Sequence, residues 1–210
     1  MKSTDGLSVF LTVLLVSFLD FTFSIKDEVT KETWSRLKAT AQRRHISSAH
    51  RRYNCTGLMQ ELDEHGINVT DCTNAHGDLW YRVDDLLTWE KAWSACTLVR
   101  GSDLASIHNV DDFNLLRHLF WMPDQDHTAN WIGQNDLLDE GCWSWTDGTP
   151  VDYTRWLAPM QEPNGDSEEN CVMYQSQVAG GGCCWTDGLL DFRCSHELPA
   201  ICKLRNPRVE

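Results

Sequence analysis

The chain has 210 residues and a formal net charge of −13. That length suits one ordinary domain with extensions. The acid is concentrated: residues 72–204 hold seven Lys/Arg against twenty-one Asp/Glu, which argues against nucleic acid as a partner.

The apolar run Leu7 to Leu19, followed by Thr22-Phe23-Ser24, predicts a signal peptide over residues 1–24. The run is too short for a comfortable membrane span and Asp20 interrupts it, so no stable membrane insertion is expected. The nine cysteines fit a secreted, disulfide-bonded chain. Sequons at Asn54-Cys55-Thr56 and Asn68-Val69-Thr70 mark Asn54 and Asn68 as glycosylation sites. An odd cysteine count leaves one thiol free or paired between chains, so a homo-oligomer, disulfide-linked or not, stays open.

Residues 25–71 read as a polar N-terminal extension. Its first part, 25–54, is basic, with eight Lys/Arg against three Asp/Glu. Ile25, Val29, Trp34, Leu37 and Ala41 give it one weak helical face. Residues 55–71 read as a small Cys-bounded loop. From Leu79 the pattern tightens. Leu79 to Val83 predicts a strand. Thr88 is placed to cap a helix with Trp89, Ala92, Trp93, Cys96 and Val99 at helical spacing, stopped by Gly101. Leu104 to Ile107 reads as a short strand. Asn109 is placed to cap a second helix that buries Phe113, Leu116, Leu119 and Phe120. Short strands follow at Trp131–Gly133, Trp143–Trp145, Cys171–Tyr174, Cys184–Thr186 and Ala200–Lys203. Two helices followed by strands predict an α+β fold. The long irregular stretch from Trp145 to Asn170 is where function is expected.

No Gly-rich phosphate loop or nucleophile–base pair stands out in the sequence. Glu162 and Glu169 are paired carboxylates of the kind that cleave glycosides. His196 near Cys183, Cys184 and Cys194 fits no tight zinc spacing. A binding protein rather than an enzyme is therefore expected.

The segments "TWEKAWSAC", "LASIHN", "NWIGQNDLLDEGCWSWTDGTPVDYTRW", "EPN", "ENCV", "CCWTDG" and "LPAICK", in this order, resemble the C-type lectin domains over residues 72–204. Residues 205–210 are then a tail. The resemblance implies two helices, two small antiparallel sheets and a long calcium-binding loop lobe. It implies disulfides Cys96–Cys202 and Cys171–Cys194. Cys55 with Cys72 would close the N-terminal loop, and Cys142 would pair with Cys183 or Cys184. Trp131, Trp143, Trp145, Trp156 and Trp185 fall where the family packs its core.

The resemblance also names a cofactor, Ca2+, a hard cation that takes oxygen ligands. Its implied ligands are Glu162, Asn164, Glu169, Thr186 and Asp187, and the same residues would bind sugar. The bond before Pro163 is cis in the family, which turns Glu162 and Asn164 toward one ion. The Glu-Pro-Asn order implies mannose-type termini (mannose, fucose, glucose, N-acetylglucosamine) as partners. The family's Trp-Asn-Asp reads here as Trp185-Thr186-Asp187, and the run to Cys194 is long enough for Asp191 to compete with Asp187. An auxiliary metal site is implied at Asp136, Glu140 and Asp166. The alternative is the same fold binding a protein or other non-sugar ligand, with calcium structural or absent.

Overall fold

A computed structural model describes residues 53–119, 127–179 and 184–205. The expected signal peptide, the basic stretch before Tyr53, Cys183 and Phe120 lie outside the described residues, as does the tail after Arg205.

Helix α1 (Cys55–Glu64) stands where a Cys-bounded loop was expected. Asn54 caps it, its side chain accepting the Gly57 N–H at 2.8 Å. Leu58 and Leu62, four residues apart on one face, are both buried. Gly66, in the left-handed region at φ 72°, ends the turn that follows. The fold thus begins earlier than residue 72.

Strands β1 (Val69–Ala75) and β2 (Asp78–Leu87) form a hairpin. Its two-residue turn places His76 at φ 55° and Gly77 at φ 90°, both left-handed as a tight hairpin requires. Helix α2 (Trp89–Cys96) follows, with Thr88 at the cap position but without a side-chain capping bond. The next strand, β3, is Ser102–Leu104, slightly before the expected Leu104–Ile107. Helix α3 (Val110–Leu119) is capped as expected, the Asp112 N–H meeting Asn109 Oδ1 at 2.8 Å. It buries Phe113 and Leu116.

Strands β4 (His127–Asn135), β5 (Ser144–Trp145), β6 (Cys171–Ala179), β7 (Cys184–Phe192) and β8 (Leu198–Leu204) complete the chain. The sheet order is β1-β2-β8-β4-β6-β7, with β3 on β8 and β5 on β4. The two small sheets expected from the resemblance are joined by one parallel pair, Trp131 opposite Ala200, into a single mixed sheet. With α1, three helices are described where two were expected. Trp80, Ile107, Phe113, Ile132, Trp145, Val172, Tyr174, Leu189 and Ile201 form the core.

Between β5 and β6 the chain is irregular apart from two single 3-10 turns, Ala158–Met160 and Asp166–Glu168. This long loop is fastened to β7. Leu157 donates to Leu189 O at 2.9 Å and Leu189 to Arg155 O at 2.8 Å. Gly188 permits the approach, since a Cβ there would stand 2.7 Å from Leu157 Cα.

Disulfides join Cys96 to Cys202, Cys171 to Cys194 and Cys55 to Cys72. The expected bond from Cys142 to Cys183 or Cys184 is corrected: Cys142 is free and exposed. It lies just before β5, whose Ser144 pairs with Asn135, which in turn pairs with Cys171. Cys171 faces Phe192, whereas Cys184 sits at the other end of the hairpin, opposite Ala179. Eight residues of strand separate Cys184 from Phe192, about 26 Å.

If α1 is part of the cooperative unit, Leu58→Ala and Leu62→Ala each cost about 2–5 kcal/mol in urea unfolding. A loss below about 0.5 kcal/mol would make α1 a surface appendage.

Candidate functional site

The turn from Gln161 to Asn170 carries most of the acid near the end of β7. Gln161 is left-handed at φ 62°, and the Glu162–Pro163 bond is cis, as the resemblance implied. The turn is held from below by Asp191, four residues along β7 from Asp187. Asp191 Oδ2 accepts the Gly165 N–H at 2.8 Å, and its carboxylate also takes the Asn164 N–H at 3.1 Å. Glu169 folds back over Gly165 so closely that a Cβ at 165 would collide with its carboxylate. Asn164 donates from its amide to Met160 O at 3.1 Å.

Glu162, Asn164, Glu169 and Asp191 therefore meet. Burial, then the neighbouring Asp191 and Glu169, push the Glu162 carboxyl up to about 8. Its Oε2 is buried without a hydrogen-bond partner. A carboxylate wedged among carboxylates, with one oxygen unsatisfied, has the donor chemistry a hard cation needs. Even so, no three His, Cys, Asp or Glu side chains among the described residues stand as a ready-made metal cage.

Asp187 does not join this group. Its side chain is only 2% exposed and lies between Arg155 Nη2 at 3.2 Å and Arg117 Nε at 3.4 Å. It faces Ser176, whereas Asp191 faces Val172. Four residue steps along the strand set them about 13 Å apart. Asp187 ties β7 to α3 and to the long loop. Thr186 lies one residue further along, opposite Gln177. The residues that β7 brings to the turn are thus Leu190 and Asp191, rather than Thr186 and Asp187. Leu190, 5% exposed, brings no oxygen where the family's motif has an amide. A sequence signal for this register exists: Asp191 lies three residues before Cys194 and Glu169 two before Cys171, so the Cys171–Cys194 bond draws them together.

The auxiliary acids are also near one another. Asp136, 3% exposed, accepts the Gly141 N–H at 2.8 Å through Oδ2 and leaves Oδ1 buried without a partner. Burial raises its carboxyl, with Asp191 adding to the effect. The Glu140 carboxyl is raised by partial burial and then by Asp136, Asp166 and Asp191.

One arrangement had no sequence signal. Ser106 Oγ lies 3.2 Å from His108 Nε2, and His108 Nδ1 lies 2.8 Å from Asp152 Oδ1, the order of a hydrolytic triad. The serine proton, however, is donated to Asp147 Oδ2 at 2.7 Å, since a carboxylate only accepts. Asp147 is held below the usual range against its burial by Thr149, Ser106 and Arg205. Ser106 is 1% exposed, so the trio fastens the long loop and offers no nucleophile to a substrate.

A family model, "Lectin C-type domain", matches residues 85–204. The chain is 32% identical to human (Homo sapiens) C-type mannose receptor 2 over 123 residues, 59% of this chain and 7% of that receptor. It is 39% identical over 70 residues to the galactose-specific lectin nattectin of Thalassophryne nattereri, 33% of this chain and 43% of that lectin. A solved structure of a Ca2+-dependent type II antifreeze protein in its Ca2+-free form matches with a TM-score of 0.51 and 28% identity, covering 64% of this chain and 97% of that one. The chain therefore spans under a tenth of the receptor's length. The matched family and its structural neighbours are non-enzymatic binding proteins.

The raised Glu162 carboxyl sets a pH dependence in metal-free protein. A carboxyl higher in the folded than in the unfolded chain adds stability below about 4.5 that is lost as pH rises through about 8. Asp103, raised to about 6 by burial and then by Asp147 despite its hydrogen bonds, acts in the same direction, so the comparison is with Glu162→Gln. In EDTA the wild type should lose melting temperature relative to Glu162→Gln between about pH 5 and pH 8. A difference that stays flat, or that favours the wild type as pH rises, contradicts this placement of Glu162.

Proposed function

We propose, from the premise that this chain belongs to the C-type lectin domain family, that it binds mannose-type glycans in a calcium-dependent manner at Glu162, Asn164, Glu169 and Asp191. The observation that supports this most is the buried, unpartnered Glu162 Oε2 set against Asp191 and Glu169. When bound there, Ca2+ supplies a positive centre at which two neighbouring sugar hydroxyls can enter the coordination shell.

The chain's own groups set the polarity of the ligand. Glu162 and Glu169, ionised, can only accept hydrogen bonds, whereas the Asn164 amide can donate. That acceptor–donor order suits vicinal equatorial hydroxyls, as at the 3- and 4-positions of mannose-type sugars. Asp191 holds the turn by accepting its backbone N–H groups. Thr186 and Asp187 leave the expected ligand set. Asp136, Glu140 and Asp166 form the auxiliary cation site of this reading.

The rest of the reading is extracellular. The N-terminal signal, three disulfides and two exposed sequon asparagines, Asn54 and Asn68, support a secreted glycoprotein. Among the described residues no helix is long and apolar enough to cross a membrane. A single shallow sugar site binds weakly, so useful avidity would come from oligomers.

One observation favours a second reading. Leu190 places a hydrocarbon beside Asp191 where an amide would both ligate and donate. The same fold would then bind a protein or another non-sugar ligand, with calcium structural or absent. Affinity chromatography separates the two. The first reading expects retention on mannose-agarose in calcium, release by EDTA, and weakened retention of Glu162→Gln/Asn164→Asp. Retention on galactose but not mannose would contradict the sugar assignment. Passage through both resins by protein that still binds calcium would establish the second reading.

A further inference from the structure

We infer that Arg193 is a built-in competitor for the cation at the acidic turn, its guanidinium standing against Glu168 and Glu169 and offsetting the negative charge that would hold an ion there. The inference rests on the calcium reading above and concerns how that site is regulated.

The geometry divides the two oxygens of Glu169. Its Oε2 is the atom that lies over Gly165, on the side of the cluster. Its Oε1 faces Arg193 Nε at 3.9 Å. Arg193 Nη2 is anchored at 2.9 Å on Glu168 Oε2. No other Lys or Arg among the described residues pairs with Glu162, Glu168, Glu169 or Asp191.

Sequence position explains why this residue does it. Arg193 follows β7 directly, two residues after Asp191, and precedes Cys194, which is bonded to Cys171. Its backbone is therefore fixed beside the turn, and only the side chain can leave. Leaving is easy: Arg193 is 63% exposed and Glu168 74% exposed, and exposed ion pairs are weak. A guanidinium and a divalent cation near one carboxylate repel each other. The arginine thus lowers affinity for the ion without abolishing it, and steadies the acidic turn when the ion is scarce.

Calorimetric titration with calcium at constant pH and salt tests this on wild type, Arg193→Gln, Arg193→Lys and Arg100→Gln. Arg100 is an exposed arginine in the turn between α2 and β3, and serves as the control for net charge. Arg193→Gln should tighten calcium by about two- to fivefold, while Arg193→Lys and Arg100→Gln stay close to wild type. Unchanged or weaker binding by Arg193→Gln overturns the inference and leaves the calcium site standing. So does equal tightening by Arg100→Gln or Arg193→Lys. If none of the four binds calcium while all melt cooperatively, the calcium reading fails and takes the inference with it.

Discussion

One buried carboxylate organises the lobe that distinguishes this molecule. Asp191 stands at the end of β7, 4% exposed, and accepts the backbone N–H groups of Asn164 and Gly165. Those two bonds set the direction of the acidic turn. They also commit the protein to keeping several carboxylates close together. Glu162 bears the consequence, raised by burial and by its neighbours and left with an oxygen that no protein group satisfies. A buried acceptor without a partner costs free energy, so the ionised turn is stabilised by a proton or a cation beside it.

The surrounding fold exists to hold that turn in place. The long loop is fastened to β7 where Gly188 lets Leu157 come close, and again where Ser106 and His108 reach Asp147 and Asp152. Asp187 contributes differently from Asp191, although both lie on the same strand. It is enclosed by Arg117 and Arg155, and removing one member of such a buried group leaves charge uncompensated. One aspartate therefore binds the lobe together, and the other faces the turn where chemistry is available.

Much of this was legible in the residues. Helical spacing located α2 and α3, and the order of short motifs carried the family, the disulfides through Cys96 and Cys171, and the Glu-Pro-Asn turn. What misled was counting forward from Trp185. The Trp-Thr-Asp motif looks like a ligand pair, but strand length decides the matter, and β7 runs on to Phe192 before it meets the turn. Spacing from Trp185 does not reveal which aspartate the strand delivers to the turn, whereas spacing back from the Cys171–Cys194 bond does. The helix over Cys55–Glu64 was hidden for a similar reason: its two buried leucines gain meaning only against a hairpin formed later in the chain. Cys142 showed the opposite failing: a pairing that sequence left open is not made, and the length of the hairpin carries Cys184 far from it.

The central claim is that Asp191, and not Asp187, belongs to the cation-binding turn. Calcium titration of Asp191→Asn beside Asp187→Asn, with melting curves for both, addresses it most directly. Asparagine at 191 can still accept the two backbone N–H groups, so the turn keeps its shape while losing the charge. The account predicts that Asp191→Asn loses calcium with its fold intact, and that Asp187→Asn keeps calcium while melting at a lower temperature. Calcium retained by Asp191→Asn and lost by a fully folded Asp187→Asn would contradict it.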